Sequence, residues 1–159
     1  SGDWSSDVCS SDLQLTTRFD DLIQDWGGSV LSAGIRGFVS WQFFKAGVLK
    51  LQDWDSTLSL FREEYAVPLL PPELAAVMGA GGELILPILI VLGIFSRPAA
   101  IGLFMVNAMA VISYPQLWSF ECPAAINDHL YWGLLITSLF FFGPGRFSLD
   151  YFLKRRSQM

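Results

Sequence analysis

Apolar residues gather into four runs along this chain, separated by short polar breaks. Each run approaches the length of about 20 residues that a helix needs to cross a hydrocarbon layer of about 30 Å. The first extends from about Ser29 to Leu51 and the second from about Glu73 to Phe95. The third extends from about Ala99 to Tyr114 and the fourth from about His129 to Phe142. Stretches such as LILPILIVLGIF and LLITSLFFF lack the polar stripe that a helix on a soluble protein turns to water. The pattern predicts an all-α protein, an integral-membrane four-helix bundle, with no place for a sheet.

Between runs one and two, DWDSTLSLFREEYAVPLLPPEL changes register. Trp54, Leu58, Phe61 and Tyr65 recur at helical spacing, with Arg62, Glu63 and Glu64 on the other side and Asp55 placed to cap. This predicts a short interfacial amphipathic helix on the outer membrane face, with packing over the bundle mouth as a lid the sharper alternative. Pro68, Pro71 and Pro72 end it, and Pro72 with Glu73 suits the first turn of the second span. After span four, GPG breaks the helix and SLDYFLKRR starts another, capped by Ser148 or Asp150, whose Lys154, Arg155 and Arg156 meet anionic headgroups.

The N-terminal stretch SGDWSSDVCSSDL fits none of this patterning, and from Asp3 to Leu13 it back-translates in one frame to a common sequencing adapter. Residues 1–13 are therefore read as an artefact outside the fold. Residues 14–28 form an N-terminal cytoplasmic lead, 29–151 the membrane domain and 152–159 a basic cytoplasmic tail. The native chain is expected to begin near Gln14. Setting the stretch aside moves the formal charge from −5 to −2 and leaves Cys122 as the remaining cysteine, so an intrachain disulfide is not expected.

Composition agrees with the pattern: 52% hydrophobic, 16% charged and a mean hydropathy of +0.44, outside the range of ordinary soluble domains. Arg97 lies in the link between spans two and three, and Arg146, Lys154, Arg155 and Arg156 follow span four, whereas residues 115–128 carry no Lys or Arg. Positive charge on the cytoplasmic side then places both termini in the cytoplasm of a bacterial inner-membrane, multi-pass protein. No nucleic-acid recognition motif is present, and the basic tail has membrane lipid as its partner.

Ionisable residues inside spans are costly and mark function or structure. On span one, Arg36, Ser40, Gly47 and Lys50 share a face, while Lys45 lies about half a turn away and snorkels. Glu83 sits ten residues past Glu73, which puts it about 15 Å below the outer surface. It needs a partner, and Arg36 is the expected one; left unpaired it would be protonated. Asn107, ten residues past Arg97, comes to the same level. Arg36, Glu83 and Asn107 are thus the candidate polar cluster, either structural glue or a ligand or proton site, with Lys50, Arg97 and His129 as secondary candidates. Gly79, Gly81 and Gly82 allow close helix approach or leave space for a small molecule. Met78, Met105, Met109, Cys122 and His129 lack the paired spacing of a copper site, and the methionines read as core filling; no metal site is expected. No nucleophile-base pair or cofactor motif appears, so catalysis by this chain alone has no visible machinery and no catalytic residue is assigned.

RGFVSWQFFKAGVLKL, GGELILPILIVLGIFSRPAA and GPGRFSLD, in that order, resemble the DoxX family of small bacterial four-span membrane proteins over about Ser29 to Tyr151. Arg36, Gly47 and Lys50 match its first-span pattern, and Glu83, Gly93 and Arg97 its second-span and turn pattern. Gly143, Pro144, Gly145, Arg146, Ser148 and Asp150 match its closing motif. The resemblance implies a four-helix membrane bundle associated with quinol- or thiol-linked oxidation and oxidative-stress complexes. Two function classes follow. One is an accessory or anchoring subunit of a redox system, with redox-protein partner subunits and a quinone as the possible cofactor. The other is a stand-alone binder or transporter of a small hydrophobic or metal-containing ligand. The oligomeric state is open.

Overall fold

A computed structural model describes residues 17–21, 23–118 and 123–157. The adapter-like stretch, Cys9 and Cys122 lie outside the described residues. Among the described residues the chain is all helical: α1 (Gly28–Gln52), α2 (Trp54–Glu63), α3 (Pro72–Leu92), α4 (Ser96–Ser113), α5 (Pro123–Phe142) and α6 (Leu149–Ser157). A π-helical turn (Ile23–Gly27) leads into α1, and a 3-10 turn (Pro115–Trp118) follows α4. Helices α3 and α4, with mean hydropathies of 2.1 and 1.3, are long and apolar enough to cross a membrane. Helix α1 carries Arg36, Lys45 and Lys50, and the first turns of α5 hold Asn127, Asp128 and His129.

The four long helices pack in cyclic order, α1 along α3, α3 along α4, α4 along α5, and α5 back against α1. Val39, Phe43, Ile90, Ala100, Leu103, Ile136 and Leu139 form their shared core. Close packing fixes the registers. A methyl group added at Gly47 would lie 2.9 Å from Leu84 and 3.0 Å from the Glu83 Cβ, so Gly47 is level with Glu83. Between α3 and α4, Gly82 faces Val106 at 2.8 Å by the same measure, and Gly102 faces Leu86 at 3.1 Å.

Helix α2 starts one residue after α1 ends. Its cap is therefore Asp53 rather than the expected Asp55: Oδ1 accepts from the Ser56 amide at 3.0 Å and Oδ2 from the Ser56 hydroxyl at 2.6 Å. The apolar stripe reads as the spacing predicts. Phe61 is buried against Ala75 and Ala76, with Trp54, Leu58 and Tyr65 beside it. Thus α2 covers the first turns of α3, which lie beyond the end of α1. Exposed Arg62 pairs with Glu73 at 2.8 Å, tying α2 to the start of α3.

At the other end, Gly93 caps α3 in the left-handed conformation (φ 68°). The segment after α5 closes over this corner. The Ser32 hydroxyl donates to the Gly143 carbonyl at 2.9 Å, Ser29 Oγ accepts from the Arg146 amide at 3.2 Å, and the Asp150 amide donates to the Gly93 carbonyl at 2.8 Å. Ser148 Oγ accepts from the Tyr151 amide at 3.2 Å and so caps α6. Asp150 caps a different helix: its carboxylate accepts from the Phe95 amide at 3.1 Å and from the amide and hydroxyl of Ser96, both at 2.9 Å. These are donors that the start of α4 leaves without a partner inside the helix. Burial pushes the Asp150 carboxyl up, but the Ser96 and Phe95 hydrogen bonds and nearby Lys154 together outweigh it and hold the pKa below its ordinary value.

Two outcomes follow for the corner. Asp150→Asn should lower thermal stability in detergent by about 1 kcal/mol, the usual effect of a lost helix cap. Because the folded-state pKa is depressed, this contribution is complete above the unfolded-chain value near 3.9 and is lost as pH falls through the lower folded value. Melting curves of wild type and variant should therefore differ at pH 7 and converge in acid; a gap that widens on acidification would refute the capping role. Gly93→Ala combines a left-handed backbone with a methyl 2.6 Å from Arg36 Nη1 and should cost about 1–3 kcal/mol, read in the same melts.

Candidate functional site

Lys50 lies in the last turn of α1 and Glu83 halfway along α3, and Gly47 lets the two backbones approach closely enough for their side chains to meet. Lys50 Nζ donates to both Glu83 oxygens, at 2.6 and 2.8 Å. The side chains are 19% and 10% exposed. An ammonium has three donors and two are used here, which leaves one for a further acceptor.

This pair forms part of the wall of a cavity of about 200 Å³ between α2, α3 and α4. The rest of the lining is chiefly apolar, including Met78, Met105, Met109 and Val106, with Phe61 and Tyr65 contributed from the α2 side. The Phe61 and Tyr65 rings stack at 4.6 Å, Tyr65 stacks on Tyr114 at 5.0 Å, and the Ala66 amide donates to the Ser113 carbonyl at 2.8 Å. Helix α2 and the residues after it thus supply one side of the cavity wall. Burial first, then the charge of Glu83 and the neighbouring Tyr114 and Glu64, push the Tyr65 phenol up to about 12. It stays a neutral hydroxyl donor. The Ser113 hydroxyl, 1% exposed and without a partner among the described residues, lines the same space.

The expected Arg36–Glu83–Asn107 cluster is not assembled, and Arg36 is not the partner of Glu83. In antiparallel α1 and α3, Gly47 is level with Glu83, whereas Arg36 lies eleven residues earlier, against Gly93. Its Nη2 donates to the Phe147 carbonyl. Arg36 is 4% exposed, with Nε and Nη1 lacking a hydrogen-bond partner among the described residues. It sits beside the C-terminus of α3, whose partial negative charge favours a cation. Arg36 therefore ties α1, the α3 corner and the closing segment together.

Asn107 comes to the level of Glu83, as expected, but faces α5. Its Nδ2 donates to the His129 carbonyl at 2.9 Å and its Oδ1 lies 2.8 Å from His129 Nδ1. His129 packs edge-on against Trp132 and has its Nδ1 engaged by Asn107. Arg97 is exposed at the Gly93 end, far from the cavity. Of the secondary candidates only Lys50 joins the site. Tyr65, Ser113 and the methionines were missed as site residues because their placement depends on how α2 folds back. The stripe of α2 was the signal for Tyr65, since it required a covered surface beneath. No group of three or more His, Cys, Asp or Glu able to hold a metal ion occurs among the described residues.

Fold and site together define an all-α protein with membrane-type helices and a small cavity that has an ion pair in its wall. A DoxX family profile matches residues 31–116, more than half of the chain, and the chain belongs to the DoxX family. The family is membrane-associated, in keeping with the apolar α3 and α4. A protein of Haemophilus influenzae described as "Uncharacterized protein" is 27% identical over 139 residues, covering 86% of this chain and 91% of that protein. No solved structure matches.

Glu83→Gln leaves Lys50 with a neutral acceptor and an uncompensated buried charge. It should destabilise the detergent-solubilised protein by about 3 kcal/mol, the low end for removing one member of a buried pair. A double-mutant cycle with Lys50→Gln should show that the two changes are not additive. An unchanged Glu83→Gln melting temperature would remove the pairing from the energetics of the fold.

Proposed function

We propose that this is a four-span protein of the bacterial inner membrane with both termini cytoplasmic, and that its outer-side cavity binds or passes a small hydrophobic or metal-containing ligand. The observation that carries this reading is the Lys50–Glu83 pair in the wall of an apolar cavity covered by α2. A pair needed only to hold helices together has no use for about 200 Å³ of adjoining space. That volume suits a single ring, since an engineered cavity of about 150 Å³ takes up benzene. The spare Lys50 donor and the Tyr65 hydroxyl would orient a ligand oxygen. Helix α2 would open and close over it.

A second reading is an accessory or anchoring subunit of a quinol- or thiol-linked redox system. It is favoured by the same cavity, which has hydrogen-bond donors for a quinone carbonyl, and it adds redox-protein partner subunits. The ligand-binding reading places the determinant in Lys50, Glu83 and Tyr65; the anchoring reading places it in contacts with another chain.

Mild-detergent purification of a chain beginning near Gln14, with an added start Met, should yield a bound small molecule on organic extraction and mass spectrometry. Occupancy should fall in Tyr65→Phe and collapse in Glu83→Gln. A ligand-free preparation that co-purifies with redox proteins, in wild type and both variants alike, would favour the anchoring subunit instead. For topology, a reporter that is active only outside the cytoplasm should work when fused after Pro71 and be silent after Ser157; the reverse pattern would invert the orientation.

A further inference from the structure

We infer that the cavity is a site for a soft monovalent metal ion, Cu(I) or Ag(I), held by the thioether sulfurs of Met78, Met105 and Met109. This rests on the reading of the cavity as a ligand site and names the ligand class. The chain has four methionines. One is the terminal Met159, and the other three, from two different helices, all line this one cavity.

Their placement follows from the helix geometry. Met105 and Met109 are one turn apart and project from the same face of α4. The facing pairs Gly82 with Val106 and Leu86 with Gly102 set an antiparallel register in which Met78 comes level with Met109 and Ala110. Glu83 in turn comes level with Met105. The positions between them are small: Ala75, Gly79 and Ala110 also line the cavity. Short neighbours leave the long, flexible thioether arms as the groups able to reach into the space.

Methionine commonly fills gaps in an apolar interior. Here the three side chains border about 200 Å³ of open space, which Leu or Ile would line equally well if apolarity were the only requirement. What the thioether adds is a soft, polarizable donor. Such donors bind hard cations poorly and select Cu(I) among biological metals. The Glu83 carboxylate in the same wall is neutralised by Lys50, which leaves the thioethers as the donors that would hold the ion. Met78 and Met105 are 56% and 59% exposed, and Met109 is partly buried, so the thioethers remain accessible to an arriving ion. Binding needs no change of oxidation state.

The test uses the full chain in detergent with Cys9 and Cys122 changed to Ser, so that thiols do not compete. It is titrated without oxygen with Ag(I), and with Cu(I) against a chromophoric Cu(I) chelator. The expected result is stoichiometric retention of the ion, with sulfur scatterers in the X-ray absorption spectrum. Replacement of all three methionines by Leu, which nearly conserves volume, should weaken retention about tenfold or more and leave the metal-free melting temperature within a few degrees. Should the triple variant not fold, the three single Met→Leu variants and the wild-type absorption spectrum decide. Failure of the wild type to retain either ion, equal retention without the thioethers, or a spectrum of nitrogen and oxygen scatterers alone overturns the assignment. A wild type that binds no soft metal yet yields an organic ligand on extraction overturns this inference while leaving the proposed function standing.

Discussion

The sharp corner between α3 and α4 sets the positions of everything that matters in this molecule. Reversing a helix within Gly93–Phe95 leaves α3 carbonyls and α4 amides without partners inside their own helices. Gly93 supplies the left-handed backbone, Asp150 takes the Phe95 and Ser96 donors, and Arg36 lies against the α3 terminus. With the corner closed so tightly, the register of α3 against α4 is fixed. The methionines of α4 are then obliged to lie alongside Glu83 and Met78.

The polar residues inside the apolar helices consequently divide between two ends. At the Gly93 end, Ser29, Ser32, Arg36, Ser148 and Asp150 bond almost entirely to backbone, which is the work of holding a closing segment in place. At the α2 end, Lys50, Glu83, Tyr65 and Ser113 surround open space. Backbone carbonyls and amides satisfy the polar groups at the first end, while at the second the Ser113 hydroxyl has no partner among the described residues. Burial and hydrogen-bond partners thus separate residues that bond to backbone from residues that border a cavity.

Helix α2 connects the two themes. Helix α1 ends about level with Met78, which leaves the first turns of α3, with Ala75 and Ala76, to be packed by something else. Phe61 and Tyr65 fill that role. The stripe that packs α2 also lines the cavity, and it is separate from the core around Ile90, Leu103 and Ile136.

Hydrophobic runs, Gly and Pro punctuation and the α2 stripe were enough to read the helices and their order from the sequence, because these signals are local and each element satisfies its own backbone. The same local logic identified Glu83 as a residue needing a partner, Asn107 as its neighbour in depth, and the closing segment as a unit. Partner choice was decided by tertiary structure. Counting residues from the span ends put Arg36 near Glu83, but close packing at Gly47 aligns the last turns of α1 with Glu83, giving the carboxylate to Lys50 and carrying Arg36 about 16 Å away at 1.5 Å per residue. Convergence of three methionines from two helices depended on the same registers. Interhelical register is set by which small residues meet which large ones, and a single helix's periodicity contains no record of that.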